Sequence, residues 1–382
     1  MSETTIIENA RIVLANEVIE RGYIAFDGGA IAEVGEGRAP ERGIDAEGDL
    51  LLPGLVELHT DHLEAHVQPR PKVQWDPVSA VVSYDAQIAT SGITTVLDSL
   101  RVWREEGSDA ADGQAAMLSG AIDRARAAGL LRVDHYLHLR CEVPMPKVVD
   151  DTADLITRPD VRLLSLMDHT PGQRQFQDAG KLRDYYRGKS GGMTEAELDE
   201  MFARRIAHSE QYAPQNYKGL VELAQQHGTP LASHDDTTGE HVAQAIKDRV
   251  AIAEFPTNVP SAEGLHANGI KVMMGAPNLV RGGSHSGNVA TAELARAGLL
   301  DLMSSDYVPS SLLLAALMLP KAAPNYDLPA AIRTVSKTPA EAVGLTDRGE
   351  IATAKRADVI RVHVAPDGAA VRSVWSGGRR VA

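Results

Sequence analysis

The sequence predicts an α/β protein, a distorted (β/α)8 TIM barrel with a small β-sandwich domain formed by both chain termini. Three observations carry that expectation. Through the middle of the chain, apolar strand-like runs alternate with helix-like stretches, the pattern of β/α units around a parallel sheet. Eight such runs can be counted, at residues 54–58, 94–98, 136–142, 161–167, 230–233, 250–254, 270–274 and 299–304, and eight suffice to close a barrel. Both ends of the chain instead carry short strands broken by turn residues, and neither end can bury a sheet face alone. The expected division is residues 1–52 with 346–382 as the small β-domain, and 53–345 as the barrel.

At the amino end, Ala10-Arg11-Ile12-Val13-Leu14, Tyr23-Ile24-Ala25-Phe26 and Ile31-Ala32-Glu33-Val34 read as an antiparallel meander with a turn at Gly28-Gly29. At the carboxyl end, Asp358-Val359-Ile360-Arg361-Val362 and Val371-Arg372-Ser373-Val374-Trp375 have the same texture, with Gly377-Gly378 as a turn. A chain of 382 residues, 43% hydrophobic, has ample apolar material for such a two-part fold. Its net charge of −14 excludes nucleic-acid binding through a broad basic face, while leaving room for a small anion in a local basic pocket. Cys141 is the single cysteine, so no intramolecular disulfide can form and the expected home is the cytoplasm. Residues 1–8 are polar and acidic, unlike a signal peptide, and no apolar run approaches the roughly 18 residues of a membrane span.

The first barrel run, Leu52-Pro53-Gly54-Leu55-Val56-Glu57-Leu58, ends abruptly in His59-Thr60-Asp61. If the strand persists to that point, His59 and Asp61 share a face and form a chelating pair. In the third run Tyr136, His138, Arg140 and Glu142 alternate with Leu137, Leu139 and Cys141, so one face of a buried strand is polar. The fourth run ends in Met167-Asp168-His169, the fifth in Ser233-His234-Asp235-Asp236 and the eighth in Ser304-Ser305-Asp306. Any one of these is more often a loop residue than a ligand. Together, His59, Asp61, Glu142, His169, His234 and Asp306 at strand ends point to a site for one or two divalent metal ions, with Glu142 able to bridge. Ser233-His234-Asp235 is set aside as a triad because adjacent strand residues face opposite ways.

Arg70 and Lys72 flank Pro71 in a stiff loop just after the first strand, where they would hold cations near the rim. Arg281-Gly282-Gly283-Ser284-His285-Ser286-Gly287-Asn288 combines flexible backbone N–H groups with hydroxyls and a guanidinium, the ingredients of a phosphate cradle. Arg140 and Arg174 are further anion-binding candidates, Arg140 alternatively a partner of Glu142. Residues 173–226 form a long insertion that predicts two or more helices, with Gly188-Lys189-Ser190-Gly191-Gly192 as a mobile tip serving as lid or oligomer contact.

This pattern of ligands resembles the amidohydrolase superfamily of metal-dependent hydrolases. The resemblance extends to Thr338-Pro339-Ala340-Glu341-Ala342-Val343-Gly344-Leu345, Asp347-Arg348-Gly349-Glu350-Ile351 and Ala357-Asp358-Val359-Ile360. Pro69-Arg70-Pro71-Lys72, Trp75, Gly275-Ala276-Pro277-Asn278 and the Gly282 to Asn288 segment are similar to its phosphonate-metabolism branch. The resemblance implies zinc, or alternatively manganese, nickel or iron, and Asp306 as the group that orients water and takes its proton. It implies hydrolysis of a ribosyl methylphosphonate triphosphate to the 5-phosphate and pyrophosphate. The expected partners are that phosphorylated small molecule and further copies of the chain. A C–N hydrolase of the same superfamily and a non-catalytic scaffold are the alternatives. Three positions depart from the patterns: Asp61 replaces the usual second histidine of the first strand, a change the branch shares; His62 stands where the branch has asparagine; and Glu254, on the sixth run, is either an extra ligand or a partner for an arginine.

Overall fold

The computed structural model describes residues 4–102, 113–174, 194–284 and 287–382. The first five strands are β1 (Thr5–Val13), β2 (Val18–Asp27), β3 (Ala30–Glu36), β4 (Ile44–Asp45) and β5 (Leu50–Pro53). Eight more follow, β6 (Leu55–Thr60), β7 (Ile93–Val102), β8 (Asp134–Glu142), β9 (Val161–Met167), β10 (Leu231–His234), β11 (Ile252–Glu254), β12 (Lys271–Gly275) and β13 (Leu302–Ser304). The last are β14 (Val359–Ala365), β15 (Gly368–Ser376) and β16 (Arg379–Arg380).

Strands β6 to β13 pair in sequence order, all parallel, and each coincides with one of the eight apolar runs. The two edge strands meet through one parallel bridge, Thr60 with Asp306. There the Asp306 N–H donates to the His59 carbonyl (3.1 Å) and the Thr60 hydroxyl to the Asp306 carbonyl (2.8 Å). Closure thus joins the ends of the first and last strands, both of which carry chemical groups. Inside, Val56, Leu58, Leu97, Leu163, Ala232, Ile252, Met273 and Leu302 fill the barrel, and Ala340, Val343 and Leu345 complete the same cluster. The Val335 carbonyl accepts from Val56 N–H and the Thr334 carbonyl from Met303 N–H, so this plug lies under the amino-terminal ends. Polar residues at the opposite ends are left to line the mouth.

The terminal strands make one sheet in the order β16-β15-β14-β5-β1-β2-β3, with β4 beside β1. It curls over on itself, so the two layers of the sandwich are one continuous sheet. Phe26 of β2 meets Trp375 of β15 edge to face at 6.2 Å, and Ile7, Ile12, Ile24, Leu51 and Val359 pack around them. The chain passes from this sheet into the barrel at Gly54, whose N–H donates to the Asp358 carbonyl (2.9 Å). A Cβ there would stand 2.2 Å from Thr94 Oγ1, which is why the junction is a glycine.

Within the expected insertion the described part holds one continuous helix, Glu195–His227; the expectation of a further helix falls on residues 175–193, which lie outside the described residues. Thr194 and Glu197 form a capping box at its start, and Gly228 ends it in the left-handed conformation. Asn216 ties it to the barrel by donating to the Val143 and Met145 carbonyls at 2.9 and 2.8 Å. The Gly188 to Gly192 segment lies outside the described residues. No helix among the described residues is long and apolar enough to cross a membrane.

Candidate active site

His59, His169 and His234 come together at the carboxyl ends of β6, β9 and β10. The ring of His234 lies 5.7 Å from that of His59 and 5.6 Å from that of His169. In each, Nδ1 faces a carboxylate: His59 meets Glu254 at 3.0 Å, His234 meets Asp235 at 2.7 Å, and His169 is bonded to Glu142. Such carboxylates fix an imidazole's orientation and leave Nε2 to face a metal. Two donor groups have all their ligand atoms within 4.8 Å of one another, His59 with His234 and Glu254, and His169 with His234 and Asp235. Three imidazoles with carboxylates fit a borderline divalent cation.

The local backbone explains how these groups reach one place. An irregularity in the β6–β7 pairing between Glu57 and Thr60 interrupts strict alternation at His59, and buried Glu57 accepts the His59 N–H (2.7 Å) and the Ser305 N–H (2.6 Å). Burial pushes the His59 pKa well below its ordinary value, with Arg140 and His234 adding to the effect, so the ring is a neutral donor. His234 is different: burial opposes its charge, but Asp235 outweighs burial and raises its pKa. Asp235 (φ 55°) and Asp306 (φ 52°) are both left-handed residues at strand ends.

At Ser233-His234-Asp235 that conformation overrides the strand alternation expected there. The strand stops at His234, so Asp235 escapes alternation and reaches the neighbouring ring, while Ser233 donates to Asp236. No triad forms, for the reason that serine turns to another carboxylate. Asp61 also lies beyond its strand, which ends at Thr60, so face-sharing with His59 does not govern it. Its Oδ2 accepts from Arg140 Nη1 (3.3 Å) and Arg101 Nη2 (3.5 Å), and it enters neither donor group. Burial would raise its pKa, but the two arginines more than offset that and lower it.

Glu142 and Arg140 do not pair as neighbours; Glu142 turns to His169 and Arg140 to Asp61. Burial opposes the Glu142 charge, yet His169 and Arg140 hold its pKa down at about 2. Asp306 behaves oppositely: burial and the nearby charge of Asp61 push its carboxyl up to about 7, against Arg140 and His234. Behind the donors, Ser165 donates to Glu254 (2.6 Å) and is bonded to His138, whose other nitrogen faces the Leu58 carbonyl (2.9 Å). The polar face of β8 is therefore divided: His138 is enclosed in a side-chain network, whereas Arg140 and Glu142 serve the mouth. Asp235 was missed as a candidate donor, and nothing in residue spacing signals it, because its role depends on one backbone dihedral.

The anion-handling candidates are dispersed around the rim. Arg70 and Lys72 lie exposed on the loop after helix His62–Val67, with Lys72 at φ 65° in a turn closed by the Arg70–Val73 bridge. Arg174 donates to the His234 carbonyl (2.6 Å) and to Asp236 (2.9 Å), bracing the end of β10. Arg281 is exposed at the end of helix Ala276–Arg281, which Gly282 caps at φ 81°. Ser284 and Asn288 are half-buried at the edges of the glycine-rich loop, whose residues 285 and 286 lie outside the described residues.

No family model matches the chain. Over 380 residues, 98% of this chain and 100% of the relative, it is 44% identical to alpha-D-ribose 1-methylphosphonate 5-triphosphate diphosphatase of Escherichia coli. Among solved structures it is similar to N-isopropylammelide isopropylaminohydrolase from Burkholderia multivorans, with a TM-score of 0.65, 16% identity, and 100% of this chain and 98% of that one covered. It is also similar to a β-aspartyl dipeptidase from Fervidobacterium islandicum, with a TM-score of 0.59, 18% identity, and 99% and 97% covered. At these identities the solved structures speak to the fold alone.

Proposed function

The chain belongs to the alpha-D-ribose 1-methylphosphonate 5-triphosphate diphosphatase family and has the amidohydrolase fold, and on that premise we propose that it hydrolyses this triphosphate to the 5-phosphate and pyrophosphate in phosphonate catabolism. The observation that carries the reading is the match along the whole chain. The gathering of three imidazoles with acidic partners and a buried arginine at one barrel mouth supports it.

His59, His169 and His234, with Glu142, Asp235 and Glu254 around them, would hold one or two divalent ions, zinc foremost and manganese, nickel or iron as alternatives. A cation bound there supplies Lewis-acid charge and lowers the pKa of a water toward neutrality. Asp306, with a carboxyl near pKa 7, takes the proton of the attacking water. Arg140, 7% exposed beside the donors, offsets charge developing on the phosphoryl group under attack. Arg70, Lys72, Arg281 and the ends of the glycine-rich loop hold the outer phosphates. The single cysteine, buried Cys141, accords with a reducing cytoplasm.

Steady-state assays of the metal-loaded protein on the ribosyl phosphonate triphosphate, on ATP and on a cyclic-amide panel test the reading. Pyrophosphate should be released from the first substrate with the highest kcat/KM. Preference for an amide over every triphosphate would replace the reading with C–N hydrolysis.

A further inference from the structure

Helix His62–Val67 presents His62 and His66 one turn apart, and their rings stand edge to face at 5.3 Å. Both Nε2 atoms approach the same atom, Gln87 Oε1 of helix Pro77–Thr90, at 3.1 Å for His62 and 2.9 Å for His66. Three donor atoms of metal-binding type therefore converge from two helices. None of them belongs to the donor groups at the barrel mouth.

The spacing carries information about what would fit. A metal about 2.1 Å from two donors that are 2.9–3.1 Å apart sees them at about 90°, the angle of square or octahedral coordination. Tetrahedral donors at that bond length would stand about 3.4 Å apart. The donors are held in place by packing: Leu63 and Val67 anchor the short helix, and the His66 ring lies edge-on to buried Tyr84 at 5.8 Å. His62 and His66 are only partly buried, so an ion has access from solvent.

We propose that His62, His66 and Gln87 form a second divalent-cation site, distinct from the barrel-mouth donors, that takes an ion favouring square or octahedral nitrogen–oxygen coordination, such as nickel or copper(II). Water completes its coordination. The alternative use of the same geometry is a purely structural one, two imidazole N–H groups sharing one amide oxygen, and metal uptake separates the two.

The test adds nickel to the zinc-loaded full chain, removes unbound metal by gel filtration, and counts nickel by elemental analysis in wild type, His66→Leu and Gln87→Leu. The wild type should hold one nickel equivalent more than either variant, whose affinity at this site falls at least 10-fold, with zinc content and turnover unchanged. Copper(II) in the wild type should give a nitrogen-coupled paramagnetic resonance signal that His66→Leu loses. Equal nickel uptake at equal affinity in wild type and variants, or no uptake by wild type, overturns the site. Should His66→Leu fail to fold, Gln87→Leu decides alone, since it leaves both histidines in place.

Discussion

At Asp306 a left-handed backbone, a closing bridge of the barrel and a raised carboxyl pKa of about 7 coincide in one residue. Burial and the neighbouring Asp61 disfavour its charge, which makes it a better proton acceptor near neutral pH. Asp306→Asn keeps the size and the backbone bonds, so metal content should stay near wild type while kcat falls at least roughly 10²-fold. Elemental analysis beside a turnover assay checks it, and near-normal turnover would place the base elsewhere. His59→Ala should instead lose metal and activity together. It also strands Glu254, fully buried, without its imidazole, so about 1–3 kcal/mol of stability should go with it. Full metal content in a folded His59→Ala protein would remove this residue from the site.

At the scale of elements, β8 carries charge at both its ends. Near its start, His135 sits fully enclosed between Asp98 (2.9 Å) and Asp85 (3.3 Å), far along the strand from the mouth. Burial would lower its pKa, but the two carboxylates dominate and raise it to about 9. A histidine whose folded pKa exceeds its unfolded value of about 6.5 stabilises fully below that pH, and the contribution is lost as pH rises through 9. The expected contribution is roughly 3 kcal/mol at pH 6. Urea midpoints at pH 6, 7.5 and 9 should therefore fall with pH in wild type and vary less in His135→Gln. Parallel curves for the two proteins would mean that His135 is not the charged partner joining β7, β8 and helix Pro77–Thr90.

For the whole molecule, the net charge of −14 gives no general attraction for a polyanion, so recruitment rests on local cations. If Arg70 and Lys72 hold the outer phosphates, replacing both by glutamine should lower kcat/KM for the triphosphate at least roughly 10²-fold, each contact contributing about 1.5–3 kcal/mol. Turnover of an uncharged amide should change by less than about threefold, since solvated charges contribute little. An unchanged triphosphate rate in the double variant would leave the two side chains as ordinary loop charges. Chelation should abolish hydrolysis, and added zinc should restore it.

Periodicity and strand-end chemistry make the barrel legible in the sequence alone. Each of the eight apolar runs became a parallel strand, because a strand buried on both faces leaves a continuous apolar signature whatever its neighbours. The same logic puts His59, Glu142, His169, His234 and Asp306 at strand ends, where the structure has them, since carboxyl ends of barrel strands share one mouth. Tertiary structure decided everything that depends on where a strand stops and who answers whom across the barrel. Asp61 turns to Arg140 and Arg101 because the strand ends one residue earlier. Asp235 joins His234 because a single left-handed residue cancels alternation. Glu254 meets His59, 195 residues away, because β6 and β11 face each other across the closed barrel. Local sequence specifies backbone period; it holds no record of which distant side chain will stand opposite once the sheet has closed.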